Sequence, residues 1–226
     1  MTTPATAPSM PSAPPALEIR DLTFRYAAHS PDILHGLSHT FTPGTCTALT
    51  GESGRGKSTL LYLMALMLTA TSGSILMNGH DAARASDAQR ARLRAHNIGL
   101  IFQDAQLDPH RTLMDSVAES GLYAGLVRSQ ARARARALLT QLGLEKQAHS
   151  RPGNVSGGQA GRAAIARALL NKPPIILADE PTGNLDRHNA TAVLDTLRHA
   201  AETGCTVIIA THDPAVVNHC DAELQL

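Results

Sequence analysis

Between Gly51 and Thr59 the chain reads GESGRGKST: glycine, four residues, glycine, lysine and a hydroxyl residue. That spacing suits a polyphosphate. Gly51, Gly54 and Gly56 can adopt backbone angles closed to other residues, so successive N–H groups, with Glu52, Ser53 and Arg55 between them, turn inward around phosphate oxygens. Lys57 then reaches toward the β- and γ-phosphates, and the Ser58 hydroxyl is a magnesium ligand. Every residue from Gly51 to Thr59 is a candidate nucleotide contact.

Further chemistry lies downstream. The apolar run IILADE (175–180) ends in two acids. Asp179 can hold magnesium through water, and Glu180 can orient or deprotonate an attacking water. His212 follows the run TVIIA and can donate to a phosphate oxygen. Gln103 closes IGLIF, where ligand-contacting residues of parallel sheets gather. VSGGQ (155–159) runs into AGRAAIARALL, with Ser156 at an N-cap position and Gly157, Gly158 and Gln159 in the first turn. This is a second anion site at a helix N-terminus, and one nucleotide hardly needs two. Tyr26 offers a flat π face on which a base could stack; a lone tyrosine serves equally as packing.

These residues must be held by a framework. TCTALT (45–50) reads as a buried strand, and LLYLMALML (60–68) as the helix that the phosphate loop opens. A half-exposed strand, LEIRDLTFRY, is expected to end at Tyr26, and a second covers 33–41, followed by a turn at Pro43 and Gly44. TSGS (71–74) reads as a turn before the strand ILMNGHD, which runs into the turn Asn78-Gly79. Ser86 and Gln89 form a capping box ahead of a basic helix, QRARLRAH, whose arginines are expected on a solvated face. Strand signals then vanish. Helices are expected over 112–126 and 129–142, stopping at Gly143, in a helical segment inserted into an α/β core. A helix to Leu197 and the strand TVIIATHD complete the chain.

With 226 residues there is room for one sizeable domain, or a core with a small subdomain. A net charge of +1 gives no reason to expect nucleic acid as a partner. Cys46, Cys205 and Cys220 are odd in number and widely spaced, and read as incidental thiols rather than a disulfide or zinc framework. The longest apolar run, 60–68, is about half what a bilayer requires, so no membrane span is expected. Residues 1–16 are rich in proline and alanine and read as a disordered tail.

The loop GESGRGKST, Gln103, VSGGQ, IILADE, NLD at 184–186 and His212, in this order, closely resemble the nucleotide-binding subunit of ATP-binding cassette (ABC) transporters. The resemblance covers 17–226. It implies an α/β fold: a P-loop NTPase (RecA-like) core, an N-terminal antiparallel β-subdomain and an α-helical subdomain within 104–158. It further implies ATP and Mg2+ as cofactors, and a head-to-tail homodimer in the ATP-bound state, with each ATP between the phosphate loop of one copy and VSGGQ of the other. On that resemblance Tyr26 stacks on adenine and Lys57, Ser58 and Thr59 contact phosphate and magnesium. Gln103 senses magnesium and water, Ser156 and Gly158 clamp the γ-phosphate in trans, and Asp179 is the magnesium acid. Glu180 is the catalytic carboxylate, Asp186 the cross-dimer aspartate and His212 the γ-phosphate switch.

ADEPTGNLD (178–186) and RLRAHNIGLIFQ (92–103) resemble the subgroup of lipoprotein-release, macrolide and antimicrobial-peptide efflux and cell-division ATPases. That subgroup implies a membrane-spanning permease partner, engaged near 104–117, and a cytoplasmic, peripheral location on the membrane's inner face. It leaves two readings: powered export, or mechanical regulation of a membrane partner without cargo. Arg55, Val155, Ala160 and Gly161 depart from the family pattern; Gly161 is expected to weaken its helix by up to about 1 kcal/mol relative to alanine.

Overall fold

The structure is a computed structural model that describes residues 16–226, apart from Ser53, Asn184 and the side chain of His188. The tail expected over 1–16 therefore lies, but for Ala16, outside the described residues. In chain order the elements are β1 (Leu17–Phe24), β2 (Leu34–Phe41), β3 (Cys46–Thr50), α1 (Lys57–Met64), β4 (Ser72–Met77) and β5 (His80–Asp81). There follow α2 (Asp87–Asn97), β6 (Ile98–Ile101), α3 (Leu113–Tyr123), α4 (Arg128–Gln141) and α5 (Gly157–Leu169). The chain closes with β7 (Ile175–Asp179), α6 (Arg187–Glu202), β8 (Thr206–Ala210), α7 (Pro214–Val217) and β9 (Ala222–Gln225).

Two sheets form. One is antiparallel with the order β2-β1-β4-β5, and the other is parallel with the order β6-β7-β8-β3-β9. In the parallel sheet Leu177 pairs with Ile208 and Ala48 with Ile209. Every residue of β3, β7 and β8 is buried, as expected of strands covered on both faces and read from unbroken apolar runs. Parallel strands share an edge, so Gly51, Phe102, Glu180 and Thr211 all emerge at the carboxyl ends of their strands together.

Helix α1 fills the space between the sheets. Its Leu60, Leu61, Leu63 and Met64 are fully buried among Leu17, Ile19 and Phe41 of the antiparallel sheet and Leu177 and Ile208 of the parallel one. On the opposite face of the parallel sheet, Ile165 of α5 and Val193, Leu194 and Leu197 of α6 pack on Ile176 and Val207. A third cluster joins α3, α4 and α5 through Leu113, Val117, Ala131, Leu139 and Ala166.

Several expectations are corrected. β1 stops at Phe24, so Tyr26 lies in the following loop. α1 ends at Met64 rather than Leu68, because the backbone reverses at Leu66, which has φ 56°. Residues 72–74 belong to β4 rather than to a turn. Gly73, at φ 89°, sits opposite the β1 irregularity near Asp21; a Cβ there would lie 2.4 Å from the Asp21 carbonyl oxygen. α6 continues past Leu197 to Glu202 and stops where Gly204 supplies φ 101°.

The capping box forms as read: the Ser86 hydroxyl accepts from the Gln89 N–H, and Gln89 Oε1 accepts from the Ser86 N–H. The arginines after it do not form one solvated face. Arg90 is 7% exposed and donates to the carbonyls of Leu66 and Leu68 and to Thr69 Oγ1, while Arg94 adds a second donor to Leu66. These carbonyls lie just past the C-terminus of α1, where cations are favoured. Arg92 alone of the three stays exposed. The three cysteines are free thiols, as expected, although Cys46 Sγ and Cys220 Sγ lie 3.2 Å apart with 174 positions between them. Among the described residues no helix is long and apolar enough to cross a membrane.

Candidate functional site

The phosphate loop leaves the end of β3 and enters α1 through Gly56, whose φ of 93° makes it a left-handed N-cap with no side-chain cap bond. A Cβ at Gly56 would lie 2.6 Å from Ile33 Cγ2, so glycine is needed for space as well as for conformation. The first N–H groups of α1 are thus left for a ligand, where the helix carries about half a positive charge. Lys57 folds back, its Nζ donating to the carbonyls of Gly51 (2.7 Å) and Glu52 (3.0 Å). Arg55 faces the other way. It meets Glu52 at 3.3 Å on the exposed outer lip and does not line the cleft. Ser53 lies outside the described residues.

The strand ends supply the acids. Asp179 closes β7 at 4% exposure, and both its oxygens are engaged: Ser58 Oγ donates to Oδ1 (3.1 Å) and Tyr62 Oη to Oδ2 (3.2 Å). Burial raises its pKa, and the two hydrogen bonds oppose that shift. Glu180, the next residue, has φ 45° and donates its N–H to the Ala210 carbonyl (2.9 Å). A left-handed conformation in a non-glycine residue costs about 1–2 kcal/mol, and it turns the carboxylate off the strand axis. That carboxylate meets His212 Nδ1 at 2.6 Å and accepts from Thr211 Oγ1 at 3.3 Å. Tyr26, 62% exposed, bonds Thr59 through its hydroxyl (3.0 Å) and stands edge-on to Phe24.

Tyr26, Gly51, Glu52, Gly54, Gly56, Lys57, Ser58, Thr59, Gln103, Asp179, Glu180 and His212 line one cleft of about 680 Å³. Its wall carries a lysine and an open helix N-terminus facing two carboxylates and a histidine, a combination suited to holding a polyphosphate and activating water at its end. Ser58 with Asp179 is the pair that could hold a divalent cation. Among the described residues no cluster of three or more His, Cys, Asp or Glu could hold a metal ion.

Ser156, Gly157, Gly158 and Gln159 are not in this cleft. The Ser156 hydroxyl caps α5 by accepting from the Gln159 N–H (3.2 Å), in a full capping box. Asp186 caps α6 by accepting from the Asn189 N–H, and Arg162 of α5 bonds Asn189 Oδ1. A Cβ on Gly158 would touch Leu185 and Asn189. The VSGGQ segment (155–159) and Asp186 therefore share a second surface, apart from Lys57. Two contacts went unread in the sequence. Tyr62 follows Ser58 by four positions on α1 and so shares its face, a spacing that could have revealed it. Thr211 had no signal beyond standing next to His212.

Gly161, in the first turns of α5, faces Leu185 with room for a Cβ at 3.5 Å. Gly161→Ala is expected to stabilise the fold by up to about 1 kcal/mol and to raise the thermal midpoint by roughly 2–4 °C. A calorimetric midpoint below that of the wild type would mean that α5 needs the glycine.

Residues 34–183 match the protein family described as ABC transporter. The chain belongs to that family. It is 40% identical over 215 residues to the lipoprotein-releasing system ATP-binding protein LolD of Hyphomonas neptunium, covering 94% of each chain. It is 43% identical over 194 residues to the macrolide export ATP-binding/permease protein MacB of Chromobacterium violaceum, covering 86% of this chain but 30% of that protein. Thus it spans nearly all of LolD and about a third of the MacB relatives. The ATP-binding cassette MJ0796, solved as a dimer in a post-hydrolysis state bound to ADP and Pi, superposes with a TM-score of 0.86 at 29% identity, covering 93% of this chain and 94% of that one. CbiO1 of Clostridium perfringens, part of the ABC transporter complex cbiONQ, superposes at 0.82 with 30% identity, covering 94% and 84%. The fold is that of the ABC ATPase cassettes, and this member of the family is an ATP-binding ATPase domain.

Proposed function

We propose that this ABC ATPase is the ATP-hydrolysing subunit of a transporter that exports or extracts a lipid, lipoprotein, peptide or drug through a separate membrane-spanning permease. The observation that carries the reading is the division of the site. Lys57, Ser58, Asp179, Glu180 and His212 share one cleft, whereas Ser156, Gly158 and Asp186 lie on another surface of the same chain. A second copy, placed head to tail, completes each site, and ATP joins the two. The helix N-terminus of α5, its Ser156 hydroxyl and Gln159 then meet the γ-phosphate from the side opposite Lys57.

Within a site the geometry supports a role for each residue. Tyr26 offers its exposed ring to adenine, and Lys57 and the N–H groups around Gly54 and Gly56 bind the β- and γ-phosphates. Ser58 and Asp179, with Gln103, would hold Mg2+, which would supply charge neutralisation to the phosphates. Glu180 accepts the proton of the attacking water, and His212, held beside it, donates to the γ-phosphate.

The partner's docking groove is proposed between α2, β6 and α3. It measures about 560 Å³ and is lined by Arg92, Phe102, Ser116, Glu119, Tyr123 and Arg167. It adjoins Gln103, so docking and the nucleotide site share a segment. On this reading the chain is a peripheral subunit on the inner face of the membrane. The division at 104–158 into a helical subdomain follows the same reading. Affinity purification of the full chain from detergent-solubilised membranes is expected to recover a polytopic membrane protein in stoichiometric amount. Recovery with ribosomes or chromosomal DNA instead would overturn the transporter reading.

A further inference from the structure

We infer that Tyr62 is a positioning residue for the divalent cation: its phenol fixes the second oxygen of Asp179 and so sets how tightly the nucleotide site takes the metal. The inference rests on the proposed reading of Asp179 as the metal-holding acid and adds a residue outside the phosphate loop. Three observations carry it. Ser58 and Tyr62 lie one helical turn apart on α1, and each donates to a different oxygen of the same carboxylate, at 3.1 and 3.2 Å. Asp179 is 4% exposed, so water has little access to take over either bond. A carboxylate held at both oxygens by one rigid helix cannot rotate about its terminal bond. Partners of this kind orient metal-binding carboxylates, and losing one typically costs about 10- to 100-fold in metal affinity or activity.

The third observation is the ring. Tyr62 packs on Phe102, with centroids 6.2 Å apart and planes tilted by 48°. Phe102 lines the groove assigned to the partner and immediately precedes Gln103. The phenol is therefore held from the groove side, and a shift of Phe102 is transmitted to the Asp179 carboxylate through a single side chain. Tyr62 itself lines neither cavity, so its contribution is orientation rather than contact with nucleotide.

The test uses the purified full chain as wild type, Tyr62→Phe and Asp179→Asn. A fluorescent ATP analogue is titrated first in EDTA and then against rising Mg2+, and the Mg2+ concentration giving half of its effect on nucleotide binding is read. For Tyr62→Phe that concentration is expected to rise by about 10-fold or more, with nucleotide affinity in EDTA unchanged. A role in packing alone would leave the Mg2+ requirement where it is, because phenylalanine keeps the ring on Phe102. A requirement that rises in Asp179→Asn but stays within two-fold of wild type in Tyr62→Phe overturns the role given to Tyr62. A requirement unchanged in Asp179→Asn overturns the reading of the metal site beneath it, and the inference with it.

Discussion

Replacing Glu180 with glutamine is expected to lower ATP turnover by on the order of 10²-fold or more, while leaving ATP binding intact. Glutamine matches glutamate in size, so the left-handed turn at φ 45° and the backbone bond to Ala210 are kept. The amide can still meet Thr211 and His212. What is lost is the capacity to take a proton. The carboxylate lines the cleft beside His212 and one residue beyond Asp179, placed to meet a water attacking the terminal phosphate of a bound nucleotide. With hydrolysis stopped and the phosphate contacts of Lys57 and α1 untouched, ATP should hold two copies together. Phosphate release measures the first effect, and the elution position on a sizing column with ATP measures the second. Hydrolysis at the wild-type rate would remove Glu180 from the chemistry.

Arg90→Ala is expected to destabilise the fold by about 2–4 kcal/mol. The guanidinium makes bonds to Leu66 O (3.1 and 2.8 Å), Leu68 O (2.5 Å) and Thr69 Oγ1 (2.6 Å), and alanine leaves the buried Leu66 carbonyl and the half-buried Leu68 carbonyl without this donor. Each bond to a charged donor is worth about 1.5–3 kcal/mol on its own, but Arg94, which already reaches Leu66 O, replaces part of the loss. Arg90→Lys keeps the charge without the planar fork and should fall between alanine and wild type. Urea unfolding followed by circular dichroism gives the difference. A change below about 0.5 kcal/mol, the range of ordinary surface substitutions, would show that the network does not hold the end of α1.

Elements that depend on near neighbours were legible. The phosphate loop, the Ser86 capping box, the Ser156 N-cap, the Asn78-Gly79 turn and the buried strands β3, β7 and β8 are written in spacings of a few residues. Backbone conformation and hydrogen bonding within one or two turns decide them. The strand-end placement of Gln103, Asp179, Glu180 and His212 was legible for a related reason: a parallel sheet brings the carboxyl ends of its strands to one edge whatever else the chain does. Arg90 was misread because its helix carries arginines at several positions, and only the docking of α2 against the end of α1 decides which of them turns inward. Tyr26 was expected on a strand because the alternation of β1 runs on past Phe24, where pairing with its neighbours has already ended.

The phosphate loop shows where the line falls. By itself the sequence determined that the glycines of 51–56 would lead from a buried strand into a helix starting at Lys57, since that needs only glycines and a helix start in succession. It also determined that Ser156 would cap a second helix. Tertiary structure alone decided that Lys57 and Ser156 lie on different surfaces of one chain, that Arg55 turns out to Glu52, and that Tyr62 reaches Asp179 from 117 positions away. It alone brought Cys46 against Cys220 as β9 paired with β3. Those outcomes depend on which faces of separate elements are packed together, and apolar burial can select those faces without leaving a local pattern at the polar groups it carries along.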